Sequence, residues 1–143
     1  MSSLSTQEVS ALLAALDDEY RAWTTYDQVI HDLGPIRPFT NIRDAEARHV
    51  EALRALFRRY ELAIPTNPWP GRVERYASVR QACEAAIVAE VENGALYERL
   101  LRSTDRPEII AVLRSLQRAS QERHLPAFRR CATRGRGFGS GRP

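Results

Sequence analysis

The sequence predicts an all-α fold, a single four-helix bundle, on three observations. Four long segments carry apolar side chains at steps of three and four. Each is opened by a capping signal or closed by Gly or Pro. The links between them run short, long, short, which sorts the helices into two antiparallel hairpins.

The first helix opens on Ser5-x-x-Glu8, a capping box in which each side chain satisfies an orphan backbone N–H. It runs through Leu12, Leu16, Trp23, Tyr26 and Ile30 and stops at Gly34-Pro35. The second begins near Thr40 or Asn41 and reaches about Tyr60, with Ile42, Leu53, Leu56 and Tyr60 on one face. Pro65, Pro68 and Pro70 then exclude a helix, because each removes a backbone donor. Ser78-x-x-Gln81 opens the third helix, which continues to about Ser103. Thr104-Asp-Arg-Pro107 caps and opens the fourth, with Pro107 in the tolerated first turn, and this helix extends to about Cys131.

The link between helices two and three has about 12 to 14 residues. At about 3.3 Å each it reaches roughly 40 Å, against about 30 Å for a 20-residue helix. It can therefore travel the length of the bundle and start helix three parallel to helix two. One long crossover is favoured; up-down-up-down with a slack surface loop is the alternative.

Each helix offers one chemical candidate on its apolar stripe. Glu19 interrupts Leu12, Leu16, Trp23, Tyr26 and Ile30, and Glu90 interrupts Cys83, Ile87, Gly94, Tyr97 and Leu101. A buried ionised carboxylate must be paired, protonated or bound to a cation. Asp17 and Asp18 fall off the first stripe, and Glu92, the fallback for Glu90, shares a polar side with Arg99. Glu46 and His49 lie one turn apart and project from one face. His124 lies on helix four with Gln121 three residues before it, where a glutamate would complete a second such pair. Gln121 brings an amide oxygen without charge. Read singly, a buried Glu pairs most simply with one of the many arginines and a helical His is an ordinary residue. Four candidates at mid-helix depth on four apolar faces favour a metal. Oxygen and imidazole donors suit Fe, Mn or Zn.

These segments resemble the ferritin-like superfamily. Glu19-Tyr-Arg-Ala22, then Phe39-Thr-Asn-Ile-Arg-Asp-Ala-Glu-Ala-Arg-His49, match the E-x-x-A and E-x-x-H of its rubrerythrin-type members. The chain is similar, more closely, to an uncharacterised prokaryotic ferritin-like family of unknown function. The carriers are that F-x-N-I-x-x-x-E-x-x-H segment, Thr104-Asp-Arg-Pro-Glu-Ile109 and the ending His124-Leu-Pro-Ala-Phe128, over about residues 8–130. The resemblance implies a ferritin-like bundle with a di-iron or di-manganese carboxylate site. It implies metal ligands Glu19, Glu46, His49, Glu90 and His124, with Gln121 standing at the sixth position. One or two ions of Fe (or Mn/Zn) would be the cofactor, with oxidoreductase or ferroxidase-type chemistry. Because Gln121 departs from the pattern, a mononuclear site, an asymmetric pair or a lost site on a retained fold stay open. Tyr26 and Tyr97, one heptad from Glu19 and Glu90, are core fillers that are also placed to hydrogen-bond the ligands.

Composition bounds the rest. All 21 basic residues are arginine. Five of them lie in residues 129–143 with no acid, so the chain's +3 less those five leaves −2 for residues 1–128. The expected division is a bundle over 1–132 and a disordered Gly/Arg-rich tail over 133–143. That tail gives a weak alternative, association with nucleic acid; a metal-free helical interaction module is another. The N-terminus lacks a signal-peptide pattern and no apolar run spans a bilayer, which points to a cytoplasmic protein without membrane contact, with a homodimer as a further expectation. Cys83 and Cys131 suit a reducing compartment and read as two small buried hydrophobes at one end of the bundle, with a redox pair as the alternative.

Overall fold

The computed structural model describes residues 3–141, with side chains described through residue 134. Its elements are α1 (Thr6–Leu33), α2 (Phe39–Arg59), α3 (Val79–Leu101), α4 (Pro107–Ala119), a π-helical turn (Ser120–His124) and α5 (Leu125–Gly141). The last three form one continuous rod, so the molecule is a four-helix bundle without strands among the described residues.

The capping box forms in full at the start of α1 and by half at the start of α3, where Gln81 accepts from the Ala77 N–H instead of the Ser78 N–H. Ser5 accepts from the Glu8 N–H at 3.0 Å while Glu8 accepts from the Ser5 N–H at 2.9 Å. Ser78 accepts from the Gln81 N–H at 3.2 Å. The start of α4 differs. Its N-cap is Arg106, which makes no side-chain cap, and Thr104 instead donates to the buried Glu8 at 2.6 Å. Thr104 thus ties the α3–α4 turn to the start of α1. The chain turns from α1 into α2 through Gly34, whose φ of 104° is readily adopted only by glycine.

Two apolar layers fill the interior. One joins Leu12 and Leu16 with Leu53, Leu56, Tyr97, Ile109 and Leu113. The other joins Tyr26 and Val29 with Phe39, Ala82, Cys83 and Phe128. The late residues of α2 and of α3 therefore share one layer and their early residues share the other. The two helices run parallel, and the link is the long crossover. Residues 60–78 form this strap and lie along α1: Tyr20 donates to the Pro65 carbonyl at 2.7 Å, Asn67 to Thr24 at 2.8 Å and Trp69 to Asp17 at 3.0 Å. Arg75 closes its far end with two bonds to Asp32 at 2.9 and 2.6 Å.

The cysteines are not two separate hydrophobes. Cys83 and Cys131 form a disulfide with Cα atoms 6.1 Å apart, joining α3 to α5 within the second apolar layer. Their expected equal height made the bond feasible; the expectation of two unbonded, hydrophobe-like thiols is overturned. No helix of the described residues is long and apolar enough to cross a membrane. The expected 132/133 boundary falls inside α5, and we keep the division into bundle and Gly/Arg-rich tail as a proposal.

Candidate metal centre

Between the two apolar layers sits a polar one. Glu19, Glu46, His49, Glu90 and His124 come together there, each at most 9% exposed. Glu92 is exposed, so Glu90 is the inward residue of α3. The donor atoms form two overlapping groups, Glu19/Glu46/His49 and Glu46/Glu90/His124, with all atoms of a group within 4.8 Å of one another. Glu46 belongs to both. Its Oε1 lies 3.0 Å from His49 Nδ1 and its Oε2 lies 3.5 Å from His124 Nδ1. Glu19 Oε1 is 3.2 Å from His49 Nδ1, and Glu90 Oε1 is 3.6 Å from His124 Nδ1. The imidazoles stack with centroids 5.5 Å apart and planes 14° from parallel.

The tyrosines hold the outer carboxylates reciprocally. Tyr97 of α3 donates to Glu19 Oε2 at 2.5 Å, and Tyr26 of α1 donates to Glu90 Oε2 at 2.7 Å. This exchange follows from two antiparallel helices that each carry a Glu and, seven residues on, a Tyr. It leaves one oxygen of each outer carboxylate turned toward a histidine.

Helix four departs from an α-helical reading. In the π turn Ser120–His124 the spacing widens, so residues 120 and 124 face the same way and residue 121 turns aside. Ser120 Oγ donates to Glu90 Oε1 at 2.5 Å. Gln121, expected among the ligands, donates its amide N–H to the Glu90 carbonyl at 2.7 Å. Its amide also packs on Gly94, where an added Cβ would lie 2.6 Å from it. Gln121 is thus a clamp between α3 and the π turn, and Ser120 takes the place that the i−3 spacing assigned to it. Sequence reasoning missed Ser120, because no local propensity marks a π turn. It also missed Asp18 and Asn93: Asn93 donates to Asp18 at 2.6 Å and to Glu19 at 3.3 Å. Both could have been found from an off-stripe acid lying next to Glu19.

Electrostatics follow from crowding acids in a dry layer. Burial, then the charge of Glu46, pushes Glu19 up to about 7. Burial also opposes ionisation of Glu46, but hydrogen bonds from its neighbours outweigh it and hold this carboxyl below the ordinary value. Burial would lower the histidines, yet hydrogen bonds and charge from Glu19 and Glu46 raise His49 to about 10, and the Glu46 and Glu90 carboxylates facing it raise His124 to about 9. Burial, then the charge of Glu19, lifts Asp18 to about 6. Tyr26 and Tyr97 are held well above their usual value by burial and by Glu90 and Glu19 respectively.

Near pH 7 protons on the imidazoles therefore offset the carboxylates in the metal-free chain. His pKa values raised above the unfolded value of about 6.5 stabilise the fold fully below that pH, and the gain is lost as pH climbs through 9 and 10. Glu19 acts in the same direction at lower pH: its raised carboxyl costs stability progressively from the ordinary value near 4.5 up to about 7, above which the cost is constant. The histidines therefore predict that the metal-free protein melts at progressively lower temperature between roughly pH 7 and pH 10, after a fall below pH 7 that Glu19 contributes. They also predict that Zn²⁺ uptake at pH 7 displaces about two protons, since a ligating imidazole must free its Nδ1. Calorimetric titrations in buffers of differing ionisation enthalpy count them; uptake without proton release contradicts this arrangement.

The residues fit a cation on one further observation. His124 Nδ1 is buried with no hydrogen-bond partner, facing the two carboxylates at a spacing too wide for hydrogen bonds. The fold and cluster together define a crossover four-helix bundle with a buried carboxylate/histidine layer able to hold metal. No protein-family model and no curated protein matches the chain. Among solved structures it is similar to a hypothetical protein from Methanococcus jannaschii DSM 2661, at 21% identity and a TM-score of 0.84, over 99% of this chain and 87% of that one. That likeness shows the shared fold.

Proposed function

We propose that this is a ferritin-like metalloprotein whose carboxylate/histidine layer holds one or two transition ions, iron first, with Mn or Zn as alternatives. The observation that carries the reading is Glu46, one carboxylate serving two His/carboxylate groups that share no other residue. Donors without thiolate suit these metals. Glu19, Glu46 and His49 would hold one ion, and Glu46, Glu90 and His124 the other. Bound iron would supply one-electron chemistry toward O₂ or peroxide, including ferroxidase or oxidoreductase activity. The chain's own contribution is positional. Tyr97 and Tyr26 fix Glu19 and Glu90 so that each offers one oxygen, and Ser120 orients Glu90.

A cavity of about 480 Å³ between α1, α3 and the strap reaches Glu46, Glu90 and Tyr26, giving small molecules a way in. The test is elemental analysis of protein purified without a histidine tag and reconstituted anaerobically with Fe(II). One to two equivalents of iron are expected. Less than about a tenth of an equivalent of any transition metal would sink the reading and leave the metal-free interaction module, since a ligand set of this kind binds far more tightly than such a trace implies.

A further inference from the structure

Both histidines turn Nδ1 toward the carboxylates. The same two rings line, from the other side, a second cavity of about 430 Å³ between α2 and the α4/π-turn segment. Ala45, Ala52 and Ala119 leave it room, Ser115 adds a hydroxyl, and the exposed Arg48 and Arg123 complete its lining. No acid is among its lining residues. Neither arginine has an ion-pair partner among the described residues.

The other ring nitrogen decides what such a cavity takes. Nε2 carries a proton whether Nδ1 is metal-bound or protonated, so both rings present an N–H donor in either state. A ligating imidazole almost always donates that N–H to a carboxylate, a carbonyl or water. Here no protein acceptor lies within hydrogen-bond distance of either Nε2 among the described residues. The chain supplies donors on every side and leaves the acceptor to come from outside.

We propose that this cavity binds a phosphate-class tetrahedral oxyanion, either free or as the terminal phosphoryl group of a small ester. Its oxygens would accept from the two Nε2–H groups and the Ser115 hydroxyl, and the Arg48 and Arg123 guanidinium forks would close over it. The site goes beyond the metal reading and survives its failure, because the Nε2 donors persist without metal.

The experiment is titration of inorganic phosphate into the full-length, metal-free protein, following the histidine ring ¹⁵N and ¹H signals. Saturable shifts are expected at His49 and His124. His31, exposed on α1, serves as the control for ionic strength and pH. Arg48→Ala with Arg123→Ala should weaken binding at least tenfold, and the two Lys replacements should recover part of it. Glycerol 3-phosphate run in parallel separates the sources: tighter binding than phosphate marks an ester site, and equal or weaker binding marks the free ion. Absence of saturation by about 20 mM, well above a millimolar Kd, overturns the proposal, as does an unchanged affinity in the Arg→Ala pair. Metal content is measured separately, so a chain that takes phosphate but no cation keeps this site and loses the other.

Discussion

Glu46→Gln should empty both halves of the metal centre at once, lowering bound metal below about a tenth of an equivalent, whereas Glu19→Ala or Glu90→Ala should leave about half. A lost outer partner costs a metal site about 10- to 100-fold in affinity, and losing a direct ligand costs more. The asymmetry comes from geometry. Glu46 uses Oε1 toward His49 and Oε2 toward His124, while Glu19 and Glu90 each serve a single histidine. The fold should survive the change. In the metal-free layer a partly protonated Glu19 and two protonated imidazoles already offset the carboxylates, so losing one negative charge leaves the layer close to balance. Glutamine also keeps the volume between the two apolar layers. Circular dichroism and a thermal melt check that point, and metal analysis reads the effect. Equal losses in all three variants would show that the two groups do not act as separate half-sites.

How much of this was legible in the sequence depends on the level of structure. The capping box at Ser5, the stop at Gly34 and the proline-dense strap are local signals, and they set the elements within a residue or two. The crossover was legible because chain length sets reach, and the strap's bonds to α1 bear it out. Four of the five convergent side chains sit on helices whose regular period places them correctly. His124 converges as well, but by another route. The π turn shifts the face of helix four, putting Ser120 where an α-helical phase puts Gln121. A π turn is sustained by tertiary contacts, here the Ser120 and Gln121 bonds to Glu90, and its own residues do not announce it. Thr104 sits two residues before the N-cap, Arg106: its hydroxyl accepts from the Arg106 N–H at 3.1 Å and donates to Glu8, so it ties the turn to α1 rather than capping α4 itself. The disulfide was misjudged because compartment was inferred from a count of two cysteines, whereas the bond depends on pairing geometry that only the assembled bundle supplies.

That disulfide supports the second large effect. Cys83→Ala with Cys131→Ala should lower the melting temperature by on the order of 10–15 °C, read by a thermal melt against the oxidised wild type. The bond closes a loop with a sequence separation of 48. In the chain-entropy account such a loop is worth about 4 kcal/mol, and each kcal/mol moves the midpoint of a chain this size by roughly 3–4 °C. An unchanged midpoint would mean that the cysteines contribute packing alone. The bond should also act unequally on the metal centre. Cys83 lies seven residues before Glu90, and Cys131 lies seven after His124. At about 1.5 Å per residue each is about 10 Å along its helix from the ligand it accompanies. The bridge thus pins together the helices that carry Glu90 and His124, whereas Glu19 and His49 sit on the α1–α2 hairpin, which it does not cross. Losing it should loosen the Glu46/Glu90/His124 group and spare Glu19/Glu46/His49. A two-step Zn²⁺ titration would then show a weakened second equivalent beside an unchanged first, and equal weakening of both would mean that the bundle relaxes as one body.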